Sequence, residues 1–188
     1  MQIRRHALIL VAVVVTLAIP MHGRSAIDEA ATLLERRVKA ALLYRLTNYV
    51  EWPSTAFSSP DAPFNIGIAG ADQLAAELTE FAAERRILNR PLLVQRRARS
   101  ADAMKNAQVV FVGREEAAQL SNIIRSAPPS ALIVTESEDG LRHGSVINFL
   151  VVDGQVRFEV SLEAAQRRNL RLSARLLSVA YAVHSGTP

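Results

Sequence analysis

Two histidines, His143 and His184, are the only ones beyond the N-terminal stretch, and they are widely separated in sequence. A zinc site or a Ser-His-Asp triad would have to be assembled wholly by the fold. The chain has no cysteine, which removes thiolate nucleophiles, cysteine metal sites and disulfides. No serine lies in a G-x-S-x-G turn. Gly67-Ile68-Ala69-Gly70 follows an apolar run, as a phosphate-cradling turn would. The third glycine and partner acid of a dinucleotide fingerprint are missing, however, and so is the G-K-[ST] of a P-loop. These glycines read as points of close strand–helix packing. Glu115-Glu116 suits the first turn of a helix, where it complements the macrodipole; adjacent helical residues do not face each other as paired catalytic carboxylates must. Neither enzymatic activity, a cofactor nor a metal is expected.

The residues left as binding candidates are aromatic or charged. Tyr49 and Trp52, the chain's single tryptophan, lie in NYVEWPSTAF. Aromatic anchors of this kind dominate interface energetics, and the same tryptophan equally suits a plug beneath the Ser/Pro loop that follows. Gly113-Arg114 ends an apolar run at the crevice where open α/β sheets bind ligands, so Arg114 is a candidate for a small anion. Arg157 and Glu159 alternate with Val156, Phe158 and Val160; they either stabilise a strand through cross-strand pairs or present a polar recognition edge.

Positioning these residues requires an α/β framework. From Asp28 to Val50, Leu34, Val38, Ala41, Leu42, Leu46 and Tyr49 recur at helical spacing, with Lys39 and Arg45 off that stripe. Pro53 disfavours helix at residue 52, so the helix is expected to stop near Glu51. Strands follow at Phe64–Ala69, Pro91–Gln95, Gln108–Val112 and Ala131–Thr135. Helices are expected after Asp72, taken as a cap, through about Ala83, at Ser100–Asn106 and at Glu115–Arg125. This alternation predicts a mostly parallel sheet flanked by helices on both faces. Val146–Val152 and Gln155–Val160 flank Asp153-Gly154, a strong hairpin signal, so a C-terminal antiparallel hairpin finishes the sheet. Its first strand divides Ile147, Phe149 and Val151 from Asn148 and Leu150. Leu162 to Ala182 reads as helical, in two pieces broken near Asn169.

The N-terminus has another purpose. Arg4 and Arg5 precede the uncharged run Ala7–Ile19, and small and polar residues follow to Ala26. Such a run is too short to span a bilayer and has the layout of a signal peptide, giving 1–26 as signal and 27–188 as a single α/β domain. The full chain carries +4; losing Arg4, Arg5 and Arg24 from 22 basic residues leaves 19 against 18 acidic, about +1. The doublets Arg85-Arg86, Arg96-Arg97 and Arg167-Arg168 are dispersed among acids and read as a solvated surface, which argues against nucleic acid.

VKAALLYRLTNYVEWP (Val38–Pro53) and GSVINFLVVDGQVRFEVSLEAAQRRNLRLSARLLSVA (Gly144–Ala180) together resemble the YfiR family of exported bacterial proteins; the middle of the chain fits its layout more loosely. The resemblance implies a dimeric periplasmic repressor without catalytic activity. Such a protein binds the periplasmic sensor domain of an inner-membrane diguanylate cyclase, lowering cyclic di-GMP and biofilm formation, and is itself sequestered by an outer-membrane lipoprotein. Redox control is not carried over, since this chain lacks the disulfides of the best-known member. The alternative is a periplasmic small-ligand-binding sensor, which predicts a concave pocket with convergent polar groups near Gly70 and Gly113.

Overall fold

The structure is a computed structural model that describes residues 22–96 and 104–186. Most of the expected signal peptide, and most of the helix expected at Ser100–Asn106, lies outside them. In chain order the strands are β1 (Val50–Glu51), β2 (Phe64–Ala69), β3 (Arg86–Ile87), β4 (Arg90–Arg96), β5 (Val109–Val112), β6 (Leu132–Thr135), β7 (Ile147–Val152), β8 (Gln155–Ser161), β9 (Arg171–Leu172) and β10 (Ala182–His184). The helices are α1 (His22–Thr47), α2 (Asp72–Ala82), α3 (Leu120–Ser126), α4 (Leu162–Arg167) and α5 (Ala174–Ser178). Eight strands form one sheet in the order β10-β8-β7-β6-β5-β2-β4-β3, and β1 pairs with β9 in a separate ribbon. Strands β4, β2, β5, β6 and β7 are parallel neighbours, and β7 and β8 make the expected antiparallel hairpin. Its tip, Asp153-Gly154, has positive φ at both residues, as a two-residue hairpin turn requires.

Because the inner parallel strands are covered on both faces, their side chains divide between two cores. Ile66, Ile68, Val109, Phe111, Leu132 and Val134 pack with Ala40, Leu43 and Leu46 of α1, Leu74 and Leu78 of α2, and Leu176 of α5. Val110, Val112 and Ile133 pack on the opposite face with Leu120, Ile123 and Ile124 of α3 and with Met104. The α/β class, the parallel order and the hairpin agree with the sequence pattern.

Several local expectations are corrected. Helix α1 ends at Thr47, and Val50–Glu51 then extend as β1, since the residues ahead of Pro53 are biased to extended backbone and β9 offers them a partner. Its buried face is rotated from the predicted stripe: Leu34 is 64% exposed, whereas Lys39 is buried beside Ala40 and Leu43. Asp72 opens α2 as its first residue, and Ala71 at the cap position gives no side-chain bond. The expected helix at Glu115–Arg125 divides into a 3-10 turn at Arg114–Gln119 followed by α3. The β3–β4 hairpin was not expected; Leu88 and Asn89 turn it with positive φ, and Leu at such a position gives no sequence signal. The C-terminal part is not continuously helical. It breaks at Asn169, whose φ is 53°, as expected, but β9 and β10 replace helix because each finds a strand to pair with. On the hairpin, Asn148 is buried and Val151 is 43% exposed, because the tip extends beyond the packed face. Arg168 is not a solvated charge either: it donates to the carbonyls of Pro128 (2.9 Å) and Ile124 (3.1 Å). Burial, then Arg167 beside it, lowers its pKa from the ordinary arginine value.

Candidate functional site

The chain runs from β2 to β4 on one side and then crosses to β5 on the other. The carboxyl ends of β2 and β5 therefore flank a topological switch point, the usual ligand crevice of such sheets. Gly70 ends β2 with φ +63°, and a Cβ on Gly113 would lie 2.1 Å from the Gly70 carbonyl oxygen. The two loops can meet only because both residues lack side chains. A cavity of about 450 Å3 opens above them, lined by Gly70 to Leu74 together with Arg36, Lys39, Arg114, Glu115 and Glu136.

Lys39 is the organising group of this crevice. Its ammonium, on a side chain only 5% exposed, lies 2.5 Å from Glu136 Oε2 and also pairs with Glu35 one helical turn earlier. Glu136 follows directly after β6, and its other oxygen accepts the backbone N–H of Arg114 at 3.3 Å. A buried cation with two carboxylates joins α1 to the ends of β5 and β6. Such a pair adds little net stability, but it becomes costly when one partner is removed. The Arg114 guanidinium is mostly exposed and stands 3.9 Å from Glu35.

Beside the crevice a polar chain enters the sheet. The Thr135 hydroxyl donates to Asn148 Oδ1 (2.7 Å) and lies 3.0 Å from the Ser145 hydroxyl. Asn148 Nδ2 donates to Glu159 Oε1 (3.0 Å), and His184 Nε2 lies 3.3 Å from Glu159 Oε2. Gly140 makes room for this chain, since a Cβ there would come 2.1 Å from Thr135 Oγ1. Glu159 is thus engaged across strands with Asn148 and with His184 of β10. Arg157 is exposed and bonds Gln155 two residues away.

Tyr49 and Trp52 lie at the other end of the sheet. Trp52 is half-buried; its ring meets Phe64 edge-on at 5.1 Å and its Nε1 donates to the Gln108 carbonyl at 3.3 Å. Tyr49 receives the Ser173 N–H on its carbonyl and has the Arg175 guanidinium 5.8 Å from its ring centre. A second cavity, about 510 Å3, lies beside Trp52, lined by Glu51, Pro53, Gln166 and Asn169 to Arg171. The structure therefore groups Tyr49 with Trp52 and Glu159 with Arg157, and leaves Arg114 in a third place with Lys39. Sequence reasoning passed over Lys39, Glu35, Glu136 and Asn148. The available signals were the Glu35–Lys39 spacing of four and the rarity of lysine, found only at 39 and 105. Among the described residues no three His, Cys, Asp or Glu side chains cluster as a metal site.

A sequence model of the YfiR/HmsC-like family matches residues 36–181. No curated protein matches the chain. Among solved structures, a conserved domain protein from Vibrio cholerae O1 biovar El Tor superposes with a TM-score of 0.55 at 12% identity, covering 79% of this chain and 60% of that one. The ABC domain from Streptococcus pneumoniae, solved in complex with L-Trp, gives 0.52 at 10% identity with the same coverage. The chain spans about three fifths of the length of these two structures, and at such identities the likeness is one of fold.

Proposed function

Since the chain belongs to the YfiR/HmsC-like family, we propose that it is an exported periplasmic regulator without catalytic activity. It docks on the periplasmic domain of a membrane-bound diguanylate cyclase and holds down its production of cyclic di-GMP, and with it biofilm formation. The family match over residues 36–181 is the observation that carries this reading. Supporting it, the two sequence blocks that resemble the family meet in space, Val50 and Glu51 of the first pairing with Leu172 and Arg171 of the second. The N-terminal layout supports export by a signal peptide at 1–26, and no described helix is long and apolar enough to cross a membrane. As a homodimer it exchanges between the cyclase and an outer-membrane lipoprotein, and the receptor follows whichever state is favoured by differential affinity. Tyr49 and Trp52, beside the ribbon where the blocks meet, are the proposed anchors for a partner. Arg157 and Glu159 offer a second polar edge on β8.

Deleting the gene should raise cyclic di-GMP, and the purified protein should retain the periplasmic domain of the neighbouring cyclase in a pull-down. Unchanged cyclic di-GMP together with no retention at micromolar concentration would overturn the reading. A second reading, a periplasmic small-ligand sensor, is favoured by one observation: the charged crevice lies beside Gly70 and Gly113. A protein of similar fold has been solved with a bound amino acid, L-Trp.

A further inference from the structure

We propose that the crevice beside Gly70 and Gly113 binds a small zwitterion of amino-acid size, carrying one carboxylate and one ammonium group. The proposal rests on the ligand-sensor reading and names the class of ligand. The space, about 450 Å3, falls in the usual range for small-molecule sites and lies at the switch point where such folds take ligands.

The charges on its walls select the ligand. Lys39 and Glu136 are engaged with each other, which leaves Arg36, Arg114, Asp72 and Glu115 as the remaining charged groups lining the cavity. Arg36 gives one guanidinium N–H to Gln73, while its Nε is buried with no partner among the described residues. A buried donor without an acceptor is rare in proteins. Among the described residues the Arg114 guanidinium has only the distant contact to Glu35 at 3.9 Å, so its planar fork is available to an incoming carboxylate. Asp72 and Glu115 enter no ion pair among the described residues, and either carboxylate suits an ammonium. A phosphate dianion would meet Asp72, Glu115 and Glu136 as well as the arginines. A simple amine would meet both guanidinium groups. A molecule with both charges satisfies both sets.

The crevice also has a route to the rest of the protein. Arg36 and Lys39 belong to α1, whereas Asp72 opens α2 just after β2 and Arg114 opens the 3-10 turn just after β5. A zwitterion held between them fastens α1 to the sheet, so the ligand supplies an input that a partner surface elsewhere on the molecule reads.

The test is calorimetry on the purified protein with a panel of L-amino acids, alongside propionate, ethylamine, inorganic phosphate, N-acetylated amino acids and amino-acid amides. At least one free amino acid is expected to bind and to raise the melting temperature, with the acetylated and amidated forms at least ~10-fold weaker because each loses one charge. Arg114→Ala, at an exposed position, should fold normally by circular dichroism and weaken binding at least ~10-fold. Binding of phosphate or propionate as tight as that of the amino acids would overturn the proposal in favour of a simple anion site. Binding by no amino acid at millimolar concentration, or unchanged binding in Arg114→Ala, would also overturn it. No cyclase is present in this measurement, so its failure leaves the pull-down result standing, and the converse holds as well.

Discussion

Where β2 and β5 begin, Trp52, Phe57 and Phe64 pack ring against ring; where the same strands end, Lys39 lies between Glu35 and Glu136. Both arrangements close the sheet and both tie α1 or its extension to it. The aromatic end works by filling volume and excluding water, and its tryptophan adds one directional bond, to the Gln108 carbonyl. The charged end works by matching partners, and Glu35, Lys39 and Glu136 in it each depend on another. A packed end tolerates change of chemistry if shape is kept. A paired end tolerates change of shape better than loss of a charge. That difference suits the second end to ligand exchange and the first to permanent closure.

The sharpest way to break the comparison is Lys39→Met, which keeps the stem and removes the charge. It leaves Glu136 buried without its cation and is expected to cost about 3–5 kcal/mol, read as a lower urea midpoint. Adding Glu136→Leu should restore most of the loss; no recovery would show that packing, not charge, holds this end. Trp52→Ala comes next, at about 2–3 kcal/mol for a half-buried ring that leaves a cavity over Phe64. Trp52→Phe, which keeps an aromatic body, should stay below about 1.5 kcal/mol. Should Trp52→Phe prove as harmful as Trp52→Ala, the indole N–H bond and not volume closes that end. Arg168→Met strips hydrogen bonds from the last carbonyls of α3 and the proline turn, and is expected to cost about 1–3 kcal/mol. Smallest is Arg157→Ala, an exposed side chain whose loss should change stability by under about 0.5 kcal/mol. If Arg157→Ala nevertheless abolishes retention by the cyclase domain, that edge is a recognition surface.

The two ends were also unequally legible in the sequence. A lone tryptophan before proline, followed by Ser58, Ser59 and Pro60, suits either a partner anchor or a plug beneath the loop, and the structure packs it half-buried against Phe64. Apolar runs such as VVFV announce buried strands, and the glycines after β2 and β5, Gly70 and Gly113, announce loops. The class of the sheet, its hairpin and the break of the C-terminal segment at Asn169 followed from local signals of this kind. Lys39 could not be read in the same way, because a lysine at the margin of a helical stripe is ordinarily solvated. Its burial depends on Glu136, nearly a hundred positions away, and no period in α1 encodes that partner. For the same reason Asn148 looked like one polar residue of an alternating strand, whereas its amide is committed to Thr135 and Glu159 at once. β10 escaped notice because three residues at the end of a helical pattern carry no period of their own, and the open edge of β8 makes them a strand.

The β1–β9 ribbon has a consequence for how the protein is made. Val50 emerges from the ribosome long before its partner Leu172. Closing so long a loop is slow, because entropy is lost before the contact rewards it. Until then β1, just beyond the end of α1, has no partner strand. Removing Arg171 and Leu172 is expected to leave β1 without its partner strand, so that a distant segment of the chain governs how α1 is clasped at its end.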